Sequence, residues 1–159
     1  MPNRLLELYR RMRRWPGGAW LFSRAVCFRA PYFSSIAPRV AVLEPCRCEA
    51  VMEHRRRVTN HLGTVHAIAL CNLAELAAGL MAEASLPAGM RWIPRGMEVE
   101  YLRKARGRMH AIATPDRPPA ESAAPYDLPV TVQVRDPGGG AVFRAVIRLH
   151  VSPRPPGRG

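Results

Sequence analysis

The sequence predicts an α+β domain in which an antiparallel sheet of about five to six strands covers one long helix. Residues 65–84 are apolar on nearly every side, which is typical of a helix enclosed in a protein core. Two segments before this helix and four after it alternate apolar and polar residues, which indicates strands. Runs of strands around a single helix favour an α+β architecture over repeating βαβ units.

The composition indicates one globular domain that is strongly basic. The chain has 159 residues, of which 48% are hydrophobic and 23% are charged, a balance that argues against overall disorder. It carries 24 basic and 12 acidic side chains, a net charge of +12. Residues 1–57 hold 12 of the arginines and only four acids, which suggests contact with anionic groups. We expect no nucleic-acid partner, because no RNA- or DNA-binding motif is present.

The cysteine content and the apolar segments narrow the class of protein further. Four cysteines show neither a disulfide pattern nor zinc-ligand spacing, so we expect no metal and a cytoplasmic location. The longest apolar stretch, residues 67–82, is shorter than the roughly 18–20 residues that a membrane-spanning helix needs. The sequence therefore predicts no membrane span.

Residues 1–37 are predicted to form an N-terminal helical arm. The first helix covers residues 3–14, with Asn3 as its cap, and a second helix covers residues 19–28. Pro31 and Pro38 bracket a loop. The arginine-rich side of the arm has two interpretations. It is either the solvated face of an arm packed on the domain, or an amphipathic surface that makes weak contact with a membrane or a partner.

Residues 38–152 are predicted to form the main domain, and residues 153–159 a disordered tail. The long helix is expected to cover residues 65–84, with Thr64 as its N-cap, after a basic loop at residues 55–64. The strands are expected at residues 39–44, 46–54, 91–105, 107–114, 128–136 and 141–151. A loop rich in proline, residues 115–127, and a turn at residues 137–140 separate the last three strands.

Two segments, residues 60–80 and 98–107, resemble the hotdog-fold thioesterase superfamily, and the N-terminal region resembles the same branch. The closest resemblance is to a bacterial branch catalogued as a domain of unknown function, over roughly residues 5–150. The resemblance implies the hotdog fold, a curled antiparallel sheet around one central helix. It also implies an acyl-CoA substrate and a homodimer or a dimer of dimers. No cofactor is expected apart from the CoA part of the substrate.

Within this superfamily, the phenylacetyl-CoA-type thioesterases carry a motif of Asn, Gly, His-Gly-Gly and an acid nine residues after the His. Asn60, Gly63, His66 and Glu75 stand at the matching positions. Ala67 and Ile68 replace the two glycines, and the acid is Glu where many active relatives have Asp. The resemblance implies that Asn60, Gly63, His66, Ala67 and Glu75 form the catalytic set.

The chemistry of thioester hydrolysis gives each of these residues an expected role. A helix N-terminus offers unsatisfied N–H groups, so the Ala67 N–H would stabilise the oxyanion. Nine residues of helix, about 13 Å, separate His66 from Glu75, so the resemblance implies that the acid acts in a dimer, facing the loop of the other subunit. Enclosed between alanines and leucines, Glu75 is either a general base or a buried structural acid. His66 either orients substrate or only starts the helix, and Asn60 either positions water or forms a turn.

A CoA binder also needs cations near the mouth of its pocket. Arg103, Lys104, Arg106 and Arg108 lie where the resemblance places the CoA nucleotide, and they are the predicted substrate-binding residues. The alternative is that they form a solvated basic edge that protects a strand from aggregation. The replacement of Gly-Gly also leaves open a second function, in which the fold binds acyl-CoA or fatty-acyl groups without turnover.

Overall fold

Three α-helices and six strands make up the computed structural model, which describes residues 3–155 of the chain. The helices are α1 (Arg4–Met12), α2 (Gly18–Arg29) and α3 (Ala67–Ser85), and short 3₁₀ turns cover Pro31–Ser35 and Arg56–Val58. The strands are β1 (Arg39–Glu44), β2 (Arg47–Met52), β3 (Met90–Tyr101), β4 (Met109–Pro115), β5 (Tyr126–Arg135) and β6 (Ala141–Pro153).

The six strands form one antiparallel sheet in the order β1-β2-β4-β5-β6-β3, and the sheet does not close. In β5, side chains alternate between buried and half-buried, as the sequence pattern predicts for a strand with one face on the core. Helix α3 packs on that core face, where Leu73, Ala74 and Ala77 are fully buried. This is the hotdog arrangement, and the predicted fold class is confirmed.

The N-terminal arm packs on the domain through one side of each helix. Leu6 and Tyr9 of α1 and Phe22 of α2 are buried, and the Tyr9 and Phe22 rings meet edge to face with centroids 5.0 Å apart. Asn3 caps α1 as predicted, because its Oδ1 accepts a hydrogen bond from the Leu6 N–H. Its amide group also donates to the backbone carbonyl of Glu83 in α3, which ties the start of the arm to the central helix.

The start of the central helix differs from the prediction. The helix begins at Ala67, and its N-cap is His66 rather than Thr64. Thr64 is buried, and both its N–H and its hydroxyl are engaged by the side chain of Asn60. The Thr64 side chain is thus engaged within the loop, and the His66 ring caps the helix instead.

The expectation that α3 is enclosed on all sides is wrong. In the single chain, one side of the helix is open to solvent, and we call this side the open stripe of α3. It consists of Ile68, Cys71, Glu75, Gly79 and Glu83, at the spacing of one helix face. Strand β3 makes few contacts with α3 and covers the stripe only in part, through Tyr101 at Cys71 and Trp92 at Glu83.

By length and composition alone, α3 is long and apolar enough to cross a membrane, whereas the sequence predicts an apolar stretch too short for a span. Of the 18 residues that meet this test, 61% are buried in the protein. The sheet supplies this burial, which is the environment of a core helix.

Several further details differ from the predictions, among them the following. Strand β3 ends at Tyr101, so residues 102–105 belong to the connection to β4 rather than to the strand. The predicted loop after α2 contains the 3₁₀ turn Pro31–Ser35. Strand β6 extends to Pro153, one residue into the predicted tail, while residues 156–159 of that tail lie outside the described residues.

Candidate functional site

A cavity of about 640 Å³ lies between the N-terminal arm, α3 and the first half of β3. This volume is within the range of roughly 300–1,000 Å³ that is usual for small-molecule sites. Its apolar lining comes from α1, α2, the first 3₁₀ turn, α3 and β3: Leu5, Leu8, Phe22, Ala25, Val26, Ala30, Phe33, Leu76, Gly79, Leu80, Trp92 and Pro94. Three charged residues, Arg29, Glu75 and Glu83, complete the wall.

Glu75 is exposed on the open stripe of α3 and faces this apolar cavity. No hydrogen bond or ion pair among the described residues engages its carboxylate. Glu83, two turns further along the same stripe, is different, because its Oε1 accepts a hydrogen bond of 2.9 Å from the indole Nε1 of Trp92. Glu75 therefore does not have the burial that the sequence predicted, and within residues 3–155 it has no partner of the kind that a structural acid needs.

His66 and Ala67 form the start of α3. The Nδ1 atom of His66 accepts a hydrogen bond of 3.1 Å from the Ile68 N–H, which requires a lone pair on Nδ1 and places the proton of the neutral ring on Nε2. The His66 side chain is exposed, so this Nε2–H is available as a donor. The Ala67 N–H has no acceptor within the described part of the chain. Two donors thus stand at the positive end of the α3 dipole.

The side chain of Asn60 organises the loop that leads into this helix start. Its Oδ1 accepts from the N–H groups of Leu62 and Thr64, at 3.0 and 3.1 Å, and its Nδ2 donates to the Thr64 hydroxyl. These contacts use the amide locally, as the turn-forming interpretation predicts. Gly63 completes the turn with a φ of +69°, a left-handed conformation that glycine adopts without strain.

The single chain does not bring Glu75 and the helix start together. His66 and Glu75 lie nine residues apart on one straight helix, a separation of about 13 Å. One substrate carbonyl cannot contact both. That a second copy of the chain completes the site stays a prediction.

The four predicted cations divide into two pairs. Arg103 makes an ion pair with Asp136, and Arg108 makes one with Glu53, so both support the local structure. Arg106 donates to the backbone carbonyl of Gly63 at 3.3 Å, next to the helix start. Lys104 is exposed and has no acidic partner among the described residues. Of the four predicted cations, Lys104 and Arg106 remain available for an anionic ligand near this loop.

Two polar side chains on α3, Asn72 and Cys71, were not among the predicted site residues. Asn72 is buried and donates to the Ser35 hydroxyl at 3.1 Å, but its Oδ1 has no partner within residues 3–155. The thiol of Cys71 lies 3.4 Å from the hydroxyl of Tyr101, and this hydrogen bond raises the pKa of Tyr101 to about 12. Asn72 interrupts the apolar run in the sequence, which is the signal that singles it out.

Metal ligation has no geometric support in the part of the chain that the structure describes. No group of three or more His, Cys, Asp or Glu side chains there is arranged to hold an ion.

Comparison with protein families gives one match over most of the chain. The family model described as "Domain of unknown function (DUF4442)" matches residues 18–151. Among proteins of curated function, none matches the chain.

Solved structures share the fold. A crystal structure described only as genomics APC5556 is 44% identical, with a TM-score of 0.81, and covers 94% of this chain and 99% of its own. Thioesterase HI1161 from Haemophilus influenzae is 18% identical, with a TM-score of 0.69, over 80% of this chain and 87% of its own. A thioesterase family protein from Silicibacter pomeroyi is 20% identical, with a TM-score of 0.67, over 83% and 96%.

Proposed function

The chain belongs to the DUF4442 family of hotdog-fold, thioesterase-like proteins, and from this premise we propose that it hydrolyses acyl-CoA thioesters. The observation that carries the proposal is Glu75, a carboxylate without a partner among the described residues on the wall of a large apolar cavity. A cavity of this kind suits the acyl chain of a substrate. The thioesterase names of relatives with the same fold support the reaction class.

In the proposed mechanism, the Glu75 carboxylate takes a proton from a water molecule as its oxygen attacks the thioester carbonyl carbon. The carbonyl oxygen becomes an oxyanion, which the Ala67 N–H stabilises together with the positive end of α3. When the C–S bond breaks, the carboxylic acid of Glu75 returns the proton to the CoA thiolate. The products are a free carboxylic acid and CoA.

We propose that a second copy of the chain completes the site, because Glu75 and His66 of one copy are too far apart to share a carbonyl. Two features support this assembly. The open stripe of α3 is exposed at Ile68 and Glu75, and β3 is an edge strand whose outer backbone groups are unpaired within the described residues. Exposed apolar side chains lie on both elements, Ile68 on α3 and Ile93 and Tyr101 on β3.

Lys104 and Arg106 are proposed to bind the phosphates of CoA. Both lie in the connection between β3 and β4, and Arg106 contacts the loop that ends at the helix start. Arg103 and Arg108 hold Asp136 and Glu53, so their contribution to CoA binding is proposed to be smaller.

The test is hydrolysis of a panel of acyl-CoAs, from acetyl to palmitoyl and including aryl-CoA, followed by the release of free thiol. Glu75→Gln removes the proton acceptor but keeps the size of the side chain, so we expect kcat to fall by about 100-fold or more. Glu83→Gln lies on the same stripe and keeps an acceptor for Trp92, so kcat should fall far less. Equal losses in both variants would contradict the role given to Glu75.

A second candidate is the binding of acyl-CoA without turnover. It is favoured by Ile68, which projects from the helix start, 55% exposed, where related enzymes have glycine. Thermal stabilisation by an acyl-CoA that the protein does not hydrolyse would establish this function instead.

A further inference from the structure

Six large apolar side chains of the N-terminal arm are exposed, and we call the five of them other than Leu8 the aromatic face. Phe28 is 90% exposed, which is the largest value among the exposed large hydrophobic residues of the described chain. The members of the aromatic face are Trp15, Trp20, Leu21, Phe28 and Tyr32. Contiguous apolar exposure on a soluble domain usually marks an interaction surface.

Helix α2 displays this face because its other side is anchored. Phe22, Ser23 and Cys27 are buried against the domain, and the Ser23 hydroxyl accepts a hydrogen bond from the Val40 N–H of β1 at 2.9 Å. Trp20 and Phe28 are eight residues apart and both exposed, with the exposed Arg24 midway between them along the helix. The aromatic face is therefore held rigidly, with a guanidinium group in its centre.

The arm around this face is strongly basic. Residues 3–37 contain a single acid, Glu7, and seven arginines, all of which are exposed: Arg4, Arg10, Arg11, Arg13, Arg14, Arg24 and Arg29. None of these arginines makes an ion pair within residues 3–155. A surface that combines unpaired arginines with exposed tryptophan, phenylalanine and leucine matches the interfacial layer of an anionic membrane.

We propose that the N-terminal arm docks on an anionic phospholipid surface, with the aromatic face in the interfacial layer and the arginines on headgroup phosphates. Charge complementarity favours an anionic phospholipid surface over a second copy of the chain as the binding partner. A second copy of the arm would bring two basic surfaces together, which would repel each other. This inference concerns the outer side of the arm and does not rest on the proposed hydrolysis.

Docking would also orient the cavity. Ala25, Val26 and Arg29 of α2 line the cavity wall, while Leu21 and Phe28 lie on the adjoining exposed side of the same helix. A membrane that contacts Leu21 and Phe28 would therefore lie beside the cavity mouth.

The test measures co-sedimentation of the full chain with vesicles of phosphatidylglycerol and phosphatidylcholine, and with vesicles of phosphatidylcholine alone. We expect binding to the anionic vesicles, with a blue shift of tryptophan fluorescence, and weaker binding as salt increases. Phe28→Ser combined with Leu21→Ser should lower the partition coefficient by at least tenfold. Both residues are exposed, so thermal unfolding of the double variant should match that of the unmodified chain.

Two variants with the same net charge distinguish binding through the aromatic face from general electrostatic attraction of a basic protein to an anionic surface. Arg24→Gln removes a charge in the centre of the aromatic face, and we expect about a fivefold loss of binding. Arg144→Gln removes an exposed charge from the outer face of the sheet and should leave binding unchanged.

Three results would overturn the proposal. The first is a lack of binding to anionic vesicles, and the second is an equal loss in the two arginine variants. The third is tighter binding to a single-stranded RNA, lost on Phe28→Ser, which would assign the aromatic face to nucleic acid instead.

Discussion

The Nδ1 atom of His66 accepts a hydrogen bond from the backbone N–H of Ile68, so the histidine of the thioesterase-like motif is also the cap of the central helix. One ring nitrogen stabilises the helix, and the other, Nε2, points a donor at solvent. A loss of activity on substitution of His66 therefore has two physical sources, which two variants separate.

The first prediction concerns these two roles. His66→Ala removes both the cap and the donor, so stability should fall by about 0.5–2 kcal/mol and turnover should fall with it. His66→Asn keeps a good capping oxygen but loses the Nε2 donor, so the melting temperature should be preserved while kcat falls. Thermal unfolding and thiol release measure the two effects. Full activity in His66→Asn would show that the residue acts only as a cap.

The second prediction concerns acyl-chain length. A methyl group at Gly79 would lie 3.1 Å from the outer edge of the Trp92 ring, which Glu83 holds by its Nε1. Gly79→Ala should therefore narrow the cavity and reject the longest chains. Each methylene that no longer fits costs about 0.8 kcal/mol, or about fourfold in KM. KM values across the acyl-CoA panel measure the change, and acetyl-CoA serves as the internal control. A uniform change at every length would contradict this role of Gly79.

The third prediction concerns the unpartnered oxygen of Asn72. A buried carbonyl without a donor destabilises the fold by about 1–3 kcal/mol, so Asn72→Leu, which has a similar volume, should raise the melting temperature. Denaturant unfolding measures the difference in stability between the variant and the unmodified chain. A lower stability of Asn72→Leu would show that the oxygen is satisfied in the folded protein.

The fourth prediction concerns alkaline pH. Burial raises the pKa of the Cys48 thiol to about 12, and the neighbouring Glu49 carboxylate adds to the shift. The unfolded chain ionises this thiol near its ordinary value, so between about pH 9 and pH 12 only the unfolded state loses the proton. Stability should therefore be complete below about pH 9 and fall as pH rises through this window.

Melting temperatures at neutral pH and near pH 11 measure the effect of Cys48. Cys48→Ala should reduce the alkaline loss, although its small cavity lowers stability at every pH. Cys46→Ala, in the half-exposed turn between β1 and β2, is the matched control and should keep the loss at its original size. An unchanged alkaline loss in Cys48→Ala would count against the buried thiol as its source.

Much of the fold could be predicted from local patterns. Alternation in segments such as residues 128–136 and 141–151 located β5 and β6 within two residues at each end, because one buried face imposes that pattern directly. The cap of α1 was equally local, since Asn3 needs only the N–H of Leu6, three residues away.

The remaining features depend on contacts that the sequence does not display. Thr64 and His66 were both plausible starts for α3, and the choice depends on the side chain of Asn60. The exposure of Glu75 depends on how little of α3 the edge strand β3 contacts. The ion pair of Arg108 with Glu53 joins residues 55 positions apart. Each of these requires the tertiary structure.

The hydrogen bond from Asn3 to the Glu83 carbonyl has a consequence for the order of folding. It joins residues 80 positions apart, so the arm cannot take its final place until α3 has been made. At roughly 5–20 residues per second, the ribosome needs about 4–16 s to synthesise that length of chain. During this interval the arginines and aromatic side chains of the arm are accessible to other molecules that encounter the nascent chain. The arm that lines the cavity is thus synthesised before α3, the helix on which it docks.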